Sequence, residues 1–236
     1  MWLLILIVIV IIVVAFLCNK NSRRKLNIIR WRKALSLNKH AAVFEQLYAD
    51  VDGFSLSRQE RTVSDSPEYV YGEIIFEPFI ALLSLCQPNP STVFYDLGSG
   101  TGKAVLACSM VFNVKKSCGI ELFPGLHNAA TSQQQRLMLK TEYQENGSCI
   151  EFKNNDFLQV ELTDASLVFI NATAFLGEVW LAISKHLEQL KPGALVISTS
   201  KPLRSKQFLT IHKTKVAMTW GIVSAFIQQR QTINHP

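Results

Sequence analysis

The stretch Tyr95-Asp96-Leu97-Gly98-Ser99-Gly100-Thr101-Gly102 sets three glycines in five positions behind the apolar pair Val93-Phe94. Glycine adopts positive φ without penalty and offers bare main chain, so such a loop lets a ligand touch backbone. One carboxylate, Asp96, stands just before the first glycine. A second, Glu121, ends the next apolar run, where a carboxylate can accept hydrogen bonds from both hydroxyls of a ribose. The spacing is G-x-G-x-G, with Lys103 where a dinucleotide fingerprint has its third glycine, so a pyrophosphate is disfavoured. A nucleoside carrying a sulfonium has no phosphate to cradle and suits acids and aromatic faces. Tyr71 and Glu73 ahead of the loop, and Asp156-Phe157 beyond it, supply such groups. Asp156 could accept from an adenine amino group while Phe157 stacks beside the ring. The cofactor these features imply is S-adenosylmethionine, and no metal is required.

Residues so far apart in sequence need a scaffold that gathers them. Short β-branched or aromatic runs at 93–97, 117–121, 150–152, 167–170 and 194–198 read as strands. Helical stretches at 102–112, 125–139 and 175–190 alternate with them, and a further helix is expected over 73–86. This alternation predicts an α/β, doubly wound, mainly parallel sheet covered on both faces. In such a sheet, ligands sit beyond the carboxyl ends of the strands. The segment 206–229 reads as a hairpin turning at Thr219-Trp220-Gly221. Residues 31–48 read as a helical lead-in, and the serine-rich, polar segment 50–67 as an exposed loop.

The chain has 236 residues, 48% of them apolar, enough for one full-sized core and an appendage. The unbroken apolar run Trp2 to Cys18 would extend about 25 Å as a helix, near the lower limit for crossing a bilayer. No basic residue precedes it and no small-residue cleavage site follows, so an uncleaved transmembrane anchor over 1–19 is expected. Lys20, Arg23, Arg24, Lys25, Arg30, Arg32 and Lys33 follow without an acid among them. Their charge implies a single-pass protein with its catalytic domain on the cytoplasmic side, and lipid contact through residues 2–33. Taking those seven from 24 basic residues leaves 17 against 18 acids. The remaining domain is therefore near neutral and carries no direct DNA-binding footprint. Five cysteines without a C-x-x-C pair point to neither a disulfide framework nor a zinc ribbon. The expected organisation is an anchor at 1–19, a basic and helical lead-in at 20–70, and a catalytic domain at 71–236.

Several separated pieces together resemble the disruptor of telomeric silencing histone-lysine methyltransferases. They are YGE at 71–73, DLGSGTG at 96–102, GIE at 119–121, NDF at 155–157, VFINATAF at 168–175 and SKP at 200–202, with a weaker echo in TWGIVSAF at 219–226. The resemblance implies a seven-stranded, Rossmann-like class I methyltransferase fold and a protein-lysine N-methyltransferase using S-adenosylmethionine. It implies that Tyr71, Gly72 and Glu73 close over the donor and that Asp96, Gly98, Gly100, Gly102 and Lys103 surround its methionine end. Glu121 would take the ribose, and Asp156 with Phe157 the adenine. Asn171 would face the reacting groups through its amide oxygen, while Phe175, Phe226 and Tyr71 would line the catalytic channel. The partner implied is a protein with an accessible lysine, histone included. Two departures stand out: Lys103 replaces the family's usual glutamine, and Ala225-Phe226 replace a tyrosine pair near the channel. A methyltransferase for a membrane-associated small molecule and a non-catalytic adaptor on the same fold are the alternatives.

Overall fold

The computed structural model describes residues 2–61, 66 and 69–232. It divides into two compact units, Met1–His40 and Ala41–Pro236. The first is mostly α1 (Trp2–Ala34), one unbroken helix of 33 residues that fuses the apolar run to the basic one. Among the described residues, no helix is long and apolar enough to cross a membrane. The expected anchor, the membrane location and the lipid contact through residues 2–33 are corrected accordingly. The physical reason is length: the apolar part reaches about 25 Å where a hydrocarbon core needs about 30 Å, and the helix continues straight into charged residues.

Within the second unit a seven-stranded sheet has the order β3-β2-β1-β4-β5-β7-β6. The strands are β1 (Val93–Leu97), β2 (Lys116–Glu121), β3 (Ile150–Asn154), β4 (Leu167–Ile170), β5 (Leu195–Thr199), β6 (Phe208–Met218) and β7 (Gly221–Arg230). The first five are parallel, and the last two form an antiparallel hairpin on one edge. All five residues of β1 are buried, as a parallel strand covered on both faces requires. Val93, Tyr95 and Leu97 point into a cluster with Trp180, Ile183 and Leu187 from the helical region after β4. The opposite face carries Phe169, which meets Phe79 edge-to-face at 5.0 Å. The order reverses between β1 and β4, so their carboxyl ends open the crevice in which such sheets hold ligands.

The covering helices are α4 (Phe76–Ser84), α5 (Lys103–Phe112), α6 (Pro124–Met138), the short α7 (Gln144–Ser148) and α8 (Gly177–His186), with α2 (Leu37–Tyr48) and α3 (Gly53–Glu60) ahead of the sheet. Two boundaries differ from expectation. The helix expected from 73 begins only at Phe76, because Glu73 and Ile74 run extended against the hairpin: Thr219 N–H donates to Glu73 O at 3.1 Å, and Ile74 bridges Met218. The segment 50–67 is not all loop, since α3 lies inside it. Asp52 caps that helix by accepting from Ser55 N–H at 3.0 Å, which supplies the start signal that composition obscured.

Candidate active site

The crevice between β1 and β4 holds a cleft of about 300 Å³ whose walls include Tyr71, Gly98, Glu121, Asp156, Phe157, Asn171 and Phe175. A smaller chamber adjoins it, sharing Tyr71, Gly72, Gly98 and Asn171, and adds Glu73, Asp96, Gly100 and Lys103. Twelve of the residues singled out in sequence thus converge, although the first and last of them, Tyr71 and Phe175, are 104 positions apart.

Each glycine of the loop has its own task. Gly98 (φ +81°) has open space where a side chain would project, so its bare main chain faces the cleft. At Gly100 a Cβ would sit 2.7 Å from the Tyr71 ring, which lies across that part of the loop. Gly102 does not line either chamber. A Cβ there would meet Phe152 at 2.6 Å and Ala130 at 2.9 Å, so this glycine lets α5 start close to β3 and α6.

Glu121 joins two loops: Oε2 accepts from Gly100 N–H at 2.8 Å and Oε1 from Phe123 N–H at 2.9 Å. A carboxylate offers about four lone-pair sites, so two remain for sugar hydroxyls. Burial raises its pKa, and the backbone N–H donors pull it back. Asp96 is only 4% exposed and lines the small chamber, yet among the described residues no protein donor meets its carboxylate. Burial, with the Glu121 charge adding to it, raises its pKa well above the ordinary range. A buried carboxylate without a partner is costly unless a cation arrives. An α-ammonium group is such a cation, and Asp96 therefore fits the amino acid end of S-adenosylmethionine.

The YGE segment is held by a polar cluster. Tyr71 Oη donates to Glu73 Oε1 at 2.8 Å and contacts Thr101 Oγ1 at 3.2 Å, while Lys103 Nζ pairs with Glu73 Oε2 at 2.5 Å. Tyr48 Oη donates to Thr101 O at 3.0 Å, and the Lys103 ammonium lies 5.1 Å from the Tyr48 ring. Burial, helped by the Glu73 charge, drives the Tyr71 phenol upward, so it stays protonated. Gly72 is covered by Trp220, whose ring takes up the space where a Cβ would project.

Asn171 is oriented by the next strand. Ala172 N–H donates to Thr199 Oγ1 at 3.1 Å, which leaves the single Thr199 hydrogen for Asn171 Oδ1 at 2.7 Å. Thr173 Oγ1 also donates to Oδ1, at 3.0 Å. The amide oxygen thus accepts from two hydroxyls, and Asn171 is held in place by Thr173 and by Thr199 of the next strand. Phe175 meets Phe157 edge-to-face at 5.8 Å, forming an apolar wall. Phe226 is not on that wall; it lines neither chamber and lies under Lys213 Nζ at 5.2 Å. Residues the sequence did not single out include Phe123 and Tyr69, paired edge-to-face at 5.1 Å, and Ser57 of α3. An aromatic two positions after the Glu121 carboxylate was a usable signal for Phe123.

Residues 58–232 match the family described as histone methylation protein DOT1. The chain belongs to this family. Among DOT1-type relatives, the histone-lysine N-methyltransferase specific for H3 lysine-79 from Caenorhabditis elegans is 31% identical over 61% of this chain and 16% of its own length. The protein of the same name from Gibberella zeae is 30% identical over 56% of this chain and 28% of its length. A protein-lysine N-methyltransferase from Saccharolobus islandicus is 26% identical over 52% of this chain and 71% of its own. The alignments thus span 28% or less of the length of those two H3 lysine-79 enzymes. Solved structures share the fold: an RNA methyltransferase from Salinibacter ruber in complex with S-adenosyl-L-homocysteine (TM-score 0.51, 22% identity, 67% of this chain and 94% of that one) and magnesium protoporphyrin IX methyltransferase from Synechocystis with bound SAM (TM-score 0.50, 14% identity, 81% and 91%). The DOT1 chain described here accordingly has the class I methyltransferase fold.

Proposed function

We propose that this chain binds S-adenosylmethionine and methylates the ε-amine of a lysine on a protein, with histone H3 the first substrate to try. The observation that carries the reading is the carboxylate of Asp96, which meets no protein donor among the described residues and lines the small chamber adjoining the cleft of Glu121, Asn171 and Phe175. Support for lysine as acceptor comes from the relatives, seven of which are named for H3 lysine-79 and one as a protein-lysine methyltransferase.

When bound, S-adenosylmethionine supplies a methyl group on a cationic sulfur, open to in-line attack by a neutral amine. Asp96 accepts from the ammonium at one end and Glu121 from sugar hydroxyls at the other, which fixes the ligand along the strand ends. Asp156 and Phe157 bound the adenine. The Phe157–Phe175 wall excludes water where the acceptor enters. A lysine of reference pKa about 10.4 is protonated at neutral pH, and burial against those rings lowers that value by desolvation. Asn171, locked by Thr199, stands at the side of that entrance and fixes the acceptor's approach without bringing a charge.

The test is incubation with methyl-labelled S-adenosylmethionine and, in parallel, nucleosomes, free histone H3 and cell-extract fractions. Label on a lysine of any protein supports the reading and names the substrate. Label confined to small molecules, or none with a protein that binds the donor, contradicts it.

A further inference from the structure

The helix α3 stands at the edge of the segment that matches the family, whose first matched residue is 58. It is nevertheless built into the cleft. At its start, a Cβ on Gly53 would lie 2.5 Å from Tyr71 Oη, and Phe54 meets the Tyr71 ring edge-to-face at 5.2 Å. At its end, Glu60 Oε1 accepts from Gly125 N–H at 2.7 Å, in the first turn of α6 just after Glu121. The helix therefore bridges the donor-covering segment and the loop beyond β2.

Ser57 lies between these two moorings and lines the large chamber. It is 1% exposed, and among the described residues its Oγ has no hydrogen-bond partner. A serine in a helix commonly satisfies itself on the carbonyl four residues back; Ser57 does not. A buried hydroxyl without a partner is destabilising, and one on a cavity wall has an explanation if a ligand completes it. Its chamber tells which part of the ligand that is. Ser57 shares the large chamber with Glu121 and is absent from the small one formed by Glu73, Asp96 and Lys103. We infer that Ser57 is a further binding residue for the nucleoside half of the donor, its hydroxyl meeting the sugar from the side opposite the strand ends, with α3 as the wall that carries it. This rests on the donor-binding reading above.

The experiment is calorimetry on the whole chain with S-adenosylhomocysteine and with methylthioadenosine, which keeps the sugar but lacks the amino acid end. Both are measured on wild type, Ser57→Ala and Ser57→Cys, alongside the melting temperature without ligand. The expected result is about tenfold weaker binding of both ligands in both variants, with a ligand-free melting temperature unchanged or raised because an unsatisfied group has been removed. Unchanged affinity overturns the inference. So does a loss confined to S-adenosylhomocysteine, which would move the contact to the amino acid end, and so does a fall in the ligand-free melting temperature of both variants, which would make Ser57 structural. If wild type binds neither ligand, the donor-binding reading itself fails and takes this inference with it.

Discussion

The main-chain N–H of Gly100 donates to Oε2 of Glu121 across 2.8 Å, so the glycine loop after β1 is tied to the end of β2 by the same carboxylate that faces the cleft. Glu121 is thus both a mooring and a ligand-facing group. Glu121→Gln puts an amide NH₂ against one of the two backbone N–H donors. The expected outcome is a loss of about 1–3 kcal/mol in urea unfolding together with at least tenfold weaker S-adenosylhomocysteine binding. Weakened binding with wild-type stability would mean the mooring contributes nothing.

Gly98 and Gly102 share a positive φ but differ in what surrounds them. Gly98→Ala strains the backbone by roughly 1–2 kcal/mol and projects its methyl group into the cleft, so ligand affinity should fall far more than stability. Gly102→Ala collides with Phe152 and Ala130, so melting temperature should fall first. Thermal melts with and without S-adenosylhomocysteine separate the two patterns.

The Lys103–Glu73 pair occupies the departure from the family's usual glutamine. Glu73 is 8% exposed, and removing its cation leaves a buried side chain that, among the described residues, keeps the Tyr71 hydroxyl as its side-chain donor. Lys103→Met should destabilise the fold by about 2–4 kcal/mol, while Lys103→Met with Glu73→Leu should recover much of that loss, as replaced buried pairs do. A double-mutant cycle in urea measures the coupling. Additive losses would show that the pair is not coupled.

Asp96 carries the pH dependence. Its folded pKa lies above the ordinary carboxylate value near 3.9, through burial first and the Glu121 charge second. The ligand-free fold is therefore favoured by Asp96 protonation below that ordinary value, and this contribution is lost as pH rises through the folded pKa. Ligand binding runs the other way, because an ammonium needs the ionised form. Affinity for S-adenosylhomocysteine should rise with pH across the Asp96 titration, with proton release seen as a dependence of binding heat on buffer ionisation enthalpy. Asp96→Asn should abolish that release.

Much of this site was legible in the chain. The strand at 93–97 and the strand at 167–170 fall where β-branched and aromatic runs end in punctuation, and the glycine loop and Glu121 follow from strand-end logic. The hairpin at Thr219-Trp220-Gly221 formed as its turn residues implied. What escaped depends on contacts distant in sequence. The role of Gly102 is set by Phe152, and the direction of the Asn171 amide by Thr199 on the next strand. α3 escaped because its residues are polar and its start depends on one capping aspartate. The anchor was misread because an apolar run of marginal length was judged apart from the charged helix that continues it.

The most direct test is a crystal structure of the chain with S-adenosylhomocysteine. The account predicts the ligand along the ends of β1 and β4, its sugar hydroxyls within hydrogen-bond distance of Glu121 and its amino group on Asp96. A ligand bound elsewhere, or a cleft left empty at concentrations that saturate related enzymes, would contradict it.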